Sequence, residues 1–153
     1  MPSMKIYRIP REDGTKVPMP KYAHDGDACF DIYSNNQENI VIPPGETIKI
    51  STGLIIEPES GYHVKLQNRS GMGTNNNIQL SHCTGVVDGN YRGEVMVPLY
   101  NRGKRCFVVE PEMRICQGEI VADCIADISD VESVDDLSAT DRGANGFGSS
   151  GTK

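Results

Sequence analysis

The chain has 153 residues and a formal net charge of −6, with 24% charged and 37% hydrophobic residues. That length fits one domain with its own core, and the mixture is that of a folded globular chain rather than a disordered one. No apolar run nears the ~20 residues of a membrane span and no apolar leader follows Met1-Pro2-Ser3, so neither membrane insertion nor secretion is expected.

Net acidity argues against a nucleic-acid partner. The charge is also unevenly spread. Eight carboxylates and no Lys or Arg lie between Ile115 and Asp141, so the other 13 acidic residues share the rest of the chain with all 15 cations. A small polyanion can find local Arg and Lys there. The five cysteines (Cys29, Cys83, Cys106, Cys116 and Cys124) are odd in number and show no CxxC spacing. They read as reduced thiols of a cytoplasmic or nuclear protein, several of them small buried hydrophobes. His82-Cys83 has no second ligand pair at a metal-binding distance in sequence.

Taken in chain order, the predicted elements are strands. Lys5–Ile9 alternates, and Asn39–Ile42 stops at Pro43-Pro44-Gly45. Ile48–Ile50 leads to Gly53–Ile56, and Tyr62–Leu66 alternates again. Val95–Tyr100, Cys106–Val109 and Ile120–Ala122 complete the set. Short strands punctuated by Gly, Pro and Asn predict an all-β sandwich or barrel. Pro98 predicts an edge or bulged strand. One weak helix is expected after Ser70, where two glycines lower the propensity. The pattern fades beyond about Asp127, and a flexible glycine-rich arm is expected from Gly143. The predicted organisation is therefore a β-rich core over 1–128 and a C-terminal segment with its arm over 129–153.

Five segments carry possible chemistry. Asp25–Ser34 holds three aspartates without calcium-loop spacing, and Asp31 sits between Phe30 and Ile32. Such a carboxylate either binds backbone N–H groups or lies near a metal. Asn68-Arg69-Ser70-Gly71 offers a guanidinium fork, a hydroxyl and a turn, which suit phosphate and are also common structural features. Gly85–Gly93 reads as a tight hairpin with Gly89-Asn90 at its tip. Asp88 and Tyr91 flank that tip as a carboxylate base and an aromatic platform, unless Asp88 merely caps its own turn. In Arg114–Gln117, strict alternation puts Arg114 and Gln117 on opposite faces, unless the strand bulges or ends. Asp141–Gly151 joins Arg142 to glycines, hydroxyls and Phe147, and consecutive N–H groups there can cradle phosphate. The run from Gly146 to Lys153 has the Walker residues in the wrong order, with no room for a following helix.

These five segments resemble, in order, the five motifs of the trimeric deoxyuridine triphosphatases (dUTPases). Asn101-Arg102-Gly103 also stands in its usual place between the third and fourth. The resemblance spans about residues 20 to 151. It implies a jelly-roll-like homotrimer with active sites between subunits. It implies hydrolysis of dUTP to dUMP and pyrophosphate, with Mg²⁺ held mainly by the triphosphate. Asp88 resembles the residue that orients and activates water. Tyr91 is similar to the platform under the deoxyribose, and Gly85, Val86 and Val87 to the backbone that reads uracil. Arg69, Ser70, Gly71 and Gln117 resemble phosphate contacts. Arg142, Phe147, Gly148, Ser149 and Ser150 resemble the closing arm, with Phe147 over uracil. Asp31 is similar to a carboxylate that supports the metal indirectly.

Two positions and one missing proline depart from the family pattern. Asn68 replaces a usual Pro, Cys29 replaces a usual Gly, and no proline follows Pro111 to redirect the arm. Two other readings share the fold: a catalytically silent dUTP-binding regulator and a relative of dCTP deaminase. The deaminase needs a glutamate base and an Arg-Ser-Ser signature, which the chain lacks. An intact Asp88 and arm favour the enzyme.

Overall fold

Apolar residues recurring at every second position give this chain strands that bury one face. The computed structural model describes residues 1–146, and the chain divides into two units, Met1–Asp123 and Cys124–Lys153. The first unit holds eleven strands and one short helix. Strand β5 (Leu54–Pro58) shows the logic, since Leu54, Ile56 and Pro58 are buried and Ile55 and Glu57 are not.

The strands pair antiparallel throughout. β1 (Met4–Arg8) pairs with β5, and β3 (Ile40–Ile42) pairs with β10 (Phe107–Val109). A four-stranded sheet runs β2 (Phe30–Tyr33), β11 (Arg114–Ala122), β6 (Tyr62–Gln67), β8 (Gly85–Val87). A three-stranded sheet runs β4 (Thr47–Ser51), β9 (Met96–Asn101), β7 (Ile78–Leu80). Phe30, Ile32, Ile50, Leu54, Ile56, Leu80, Leu99 and Ile115 are fully buried among these strands. This is the jelly-roll-like all-β architecture expected from the spacing of turns.

Two expectations are corrected. Pro98 does not lie in an edge strand: β9 is the middle strand of its sheet, with Pro98 opposite Lys49. In an antiparallel strand the N and O of one residue point the same way. The Pro98 carbonyl accepts from the Ser81 N–H at 2.9 Å, so its missing N–H faces the side where β7 has already ended at Leu80. Ser81 lies directly opposite Pro98, so proline leaves that terminal pair with one of its two bonds and leaves the β4 side of the strand intact.

Residues 85–93 are also not a hairpin. β8 pairs with β6, and the next strand, β9, belongs to the other sheet. Gly89-Asn90 makes a turn, closed by Tyr91 N–H to the Asp88 carbonyl at 3.0 Å, but the chain beyond it crosses between sheets.

The helix α1 spans Ser70–Asn76, with Asn77 closing it at φ 57. Asparagine tolerates that left-handed conformation and serves as the cap. Asn68, which stands where the family favours Pro, accepts the Leu80 N–H at 2.6 Å through Oδ1. A side-chain bond to β7 thus fixes the approach to the helix.

The second unit has no strand among its described residues. It carries one 3-10 turn, Val134–Asp136, with a reciprocal cap between Ser133 and Asp136. Ile125 and Ile128 are 90% and 93% exposed. Arg142 Nε donates to the Asn145 carbonyl at 2.8 Å. Phe147, Gly148, Ser149 and Ser150 lie outside the described residues.

Candidate active site

Two side-chain groupings stand out in the first unit. The first centres on Asp31, which is only 5% exposed. Arg69 Nε donates to its Oδ1 at 3.2 Å, and Arg114 Nη1 donates to its Oδ2 at 3.1 Å. Gln117 Nε2 lies 3.4 Å from Oδ1. A buried carboxylate is stable only when paired, and here two guanidinium groups pair it.

Backbone irregularity makes this grouping possible. Tyr33 faces Arg114 and Ile32 faces Cys116, so Ile115 is an extra residue on β11. That bulge removes one step of alternation and brings Arg114 onto the face of Gln117. Ile115 and Cys116 are both buried, as a bulge requires of two consecutive apolar residues here. Arg69 also donates through Nη1 to the Arg114 carbonyl at 3.2 Å, which ties the helix entrance to the bulged strand. Ser70 and Gly71 follow Arg69 in the exposed first helical turn, which no side chain caps. A Cβ on Gly71 would meet nothing within 4 Å, so the backbone there is open to a ligand.

Cys116 lies directly beneath this face. Burial, reinforced by the Asp31 charge, pushes its thiol far above the usual range. Cys29 is half-buried, and burial together with Glu119 and Asp27 raises its thiol as well. Neither has thiolate character at neutral pH.

The second grouping is a cleft of about 230 Å³ lined by β8 and the loop after it. Gly85, Val86 and Val87 supply backbone along one wall, and Asp88 and Tyr91 stand at the mouth. Tyr91 is held on both sides. Its hydroxyl donates to the Glu94 carbonyl at 3.0 Å, and its ring lies over Gly93, where a Cβ would collide with it. Glu94 is itself fixed by the Gly53 N–H at 2.8 Å and by the Ser51 hydroxyl. Arg92 pins the turn by donating to the Gly89 and Tyr91 carbonyls and pairing with Glu57 at 2.9 Å. The turn is also tight, since a Cβ on Gly89 would sit 2.9 Å from the Tyr62 carbonyl.

The predicted residues therefore fall into two sets. Arg69 and Gln117 meet at Asp31, while Gly85, Val86, Val87, Asp88 and Tyr91 share the cleft. No side-chain hydrogen bond or ion pair joins the two sets within one chain among the described residues. Sequence reasoning left Arg114 out of the anion-binding set, because alternation turns it away from Gln117. It also missed Glu94, whose backbone and carboxylate position Tyr91. The consecutive apolar pair Ile115-Cys116 is the one signal that could have revealed the bulge.

The donor set does not form a protein cage for a divalent ion. No three His, Cys, Asp or Glu side chains converge among the described residues, and both Asp31 oxygens are engaged by guanidinium groups.

The first unit is thus of the jelly-roll-like all-β class, with a cationic cluster and a separate cleft. The comparisons narrow that class. A family model described as dUTPase matches residues 15–151, and the chain belongs to the dUTPase family. It is 40% identical over 141 residues to a deoxyuridine 5'-triphosphate nucleotidohydrolase of Hahella chejuensis, covering 92% of this chain and 91% of that one. It is 41% identical over 133 residues to one of Clostridioides difficile, covering 87% and 90%. Among solved structures, a mutant dUTPase of Staphylococcus bacteriophage 80alpha with dUpNHpp superposes at a TM-score of 0.83 and 24% identity, covering 97% and 98%.

Proposed function

We propose that this chain hydrolyses dUTP to dUMP and pyrophosphate. The observation that carries this reading is the cleft in which Asp88 and Tyr91 stand beside the open backbone of Gly85–Val87. Backbone donors and acceptors in a narrow wall can read the edge of uracil and leave no room for a 5-methyl group. Tyr91, locked against Gly93, forms the platform under the deoxyribose, where a ribose 2′-hydroxyl would clash.

Asp88 orients a water against the α-phosphorus and accepts its proton. The new P–O bond forms as the bond to the leaving pyrophosphate breaks. Hydrolysis at phosphorus needs positioning and charge neutralisation more than covalent help from the protein. Arg69, Gln117 and Arg114 supply donors to the phosphate chain, with Ser70 and Gly71 at the open helical turn. Mg²⁺, when bound, would be held by the triphosphate rather than by these side chains and would offset phosphate charge. Asp31 acts on this site through the guanidinium groups it holds. The segment from Arg142 through Phe147 to Ser150 closes over the bound nucleotide and excludes bulk water.

The assembly is a homotrimer in this reading. The separation of the two groupings, which no side-chain hydrogen bond or ion pair joins among the described residues, supports a site completed by another copy. The exposure of Ile125 and Ile128 supports a partner surface for the second unit. Five unpaired cysteines support a reducing, cytoplasmic setting.

The test is pyrophosphate release from dUTP, with Mg²⁺ and with a chelator, beside dCTP, dTTP and UTP. Metal-dependent release from dUTP alone is the expected result. Binding of dUTP by the folded protein without release would identify a silent nucleotide binder instead.

A further inference from the structure

A second cavity, of about 560 Å³, lies between the end of α1 and the loop that joins β9 to β10. It shares no residue with the Asp88 cleft or the Asp31 cluster. Its walls carry Arg102, Lys104 and Arg105, the side-chain amides of Asn75 and Asn76, and the half-buried ring of Phe107. No Asp or Glu lines it among the described residues. Three cations therefore stand together in a chain of net charge −6 with no carboxylate to offset them.

The loop that bears these cations is fixed from below. Asn101 is fully buried, and both ends of its amide are used. Its Oδ1 accepts the Gly103 N–H at 2.9 Å, and its Nδ2 donates to the Ile42 and Arg105 carbonyls, each at 2.8 Å. The Arg102 N–H donates to the Asn77 carbonyl at 3.0 Å, which joins the loop to the end of α1. A Cβ on Gly103 would press on Asn101 Oδ1 at 3.1 Å, so the loop lies close against its anchor.

The side chains on this ordered loop are not used by the fold. Arg8, Arg11, Arg69, Arg92, Arg114 and Arg142 each donate to a backbone carbonyl or a carboxylate. Arg105 and Lys104 have no hydrogen bond or ion pair among the described residues, and Arg102 reaches only Gln79 Oε1, at 3.4 Å. The carbonyl end of α1 disfavours an anion, so side-chain charge must carry any binding there. An ion of several charges meets that requirement better than an ion of one.

We propose that this cavity binds an oligophosphate anion, the linked phosphates of tripolyphosphate or of a nucleoside triphosphate, at a site separate from the proposed active site. Guanidinium forks match phosphate oxygens, Lys104 adds a compact charge, and the Asn75 and Asn76 amides add donors.

Backbone-amide NMR of the intact protein tests this with tripolyphosphate, ATP and adenosine. Tripolyphosphate should shift the amides of Asn75–Asn77 and Arg102–Phe107 as one set, titrating apart from Ser70 and Gly71. ATP should act on that set within about threefold of the same affinity, and adenosine should not, because the phosphate chain is what is read. The double variant Lys104→Gln, Arg105→Gln should weaken binding by this set about tenfold or more, for two lost charge-assisted contacts. It should leave the Ser70 titration, the urea midpoint and dUTP turnover unchanged. Tripolyphosphate that does not move the Arg102–Phe107 amides would overturn the proposal, whatever ATP does, and so would equal affinity in the double variant. Adenosine that shifts this set would overturn the phosphate reading. Loss of the Ser70 titration in the double variant would show a single anion site and overturn the separation. Each of these outcomes leaves dUTP hydrolysis to be judged by its own assay.

Discussion

Tyr91 lies across the position where any side chain of Gly93 would project, and its hydroxyl donates to the carbonyl of the next residue, Glu94. The ring proposed as the platform under the sugar is therefore set by a residue with no side chain. Gly93→Ala should tilt Tyr91 outward and degrade sugar discrimination with little loss of fold. The kcat/KM ratio of dUTP to UTP should fall about tenfold, about 1.4 kcal/mol of lost discrimination. An unchanged ratio would show that Tyr91 does not guard the 2′ position.

Asp88→Asn keeps the shape of the carboxylate and removes its capacity to take a proton. Turnover should fall by about a hundredfold or more, while dUTP affinity, measured by calorimetry, changes little. Normal turnover would remove Asp88 from its assigned role.

Asp31 ties two cations from separate segments, and both of its oxygens are engaged. Asp31→Ala should cost about 2 kcal/mol in urea unfolding, below the range for a fully buried pair because Arg69 and Arg114 are partly exposed. It should also raise KM for dUTP, by releasing Arg69 and Arg114 from a fixed geometry. Asp31→Asn should lose less of both. Wild-type stability in Asp31→Ala would show the cluster to be ornamental.

The proposed arm includes Phe147, Ser149 and Ser150, so removing residues 143–153 should lower kcat by about a hundredfold, the scale set by lost closure and positioning. The circular dichroism of the core should persist. Full kcat in the truncated chain would mean that no lid is needed.

Alkaline pH provides a test of core burial. Burial raises the Cys116 thiol above its ordinary value of 9.0, so the folded state keeps its proton longer than the unfolded state does. Stability from this group is complete below pH 9 and declines as pH rises from there toward the folded value, by up to about 1.4 kcal/mol per pH unit. Cys116→Ala should flatten part of that decline in denaturant midpoints. Thiol titration of the native protein at pH 8 should reach the exposed Cys83, Cys106 and Cys124 well before Cys116.

Strands of ordinary alternation were legible from residue pattern alone: β1, β3 to β6, β9 and β10 all lie where alternation or an apolar run places them. What escaped was short or irregular. β2 hides an aspartate in an apolar run, so Asp31 reads as an anomaly until Arg69 and Arg114 are seen around it. β7 and β8 are three residues each and, unlike the equally short β3 and β10, are not unbroken apolar runs, since Gln79 interrupts one and Gly85 opens the other. The hairpin expected at Gly89-Asn90 failed because its turn chemistry is local, whereas the partner of β8 is decided by the register of Leu66 with Gly85. Arg114 was misplaced by applying alternation across a bulge. In the candidate site, residue identities were legible through the resemblance. The locks on them, Glu94 for Tyr91 and Asn68 for the helix entrance, act through distant neighbours and leave no pattern in the chain.

The guanidinium groups clamped on Asp31 have a consequence for how tightly substrate can be held. Freezing a free arginine side chain costs roughly 1.5–2 kcal/mol of rotamer entropy. In this protein much of that loss occurs during folding, before any nucleotide arrives. On the proposed reading, association with the triphosphate then spends little on ordering these groups, and more of the contact energy survives as affinity. Folding and substrate capture thus draw on one shared store of order, so loosening that carboxylate weakens both together.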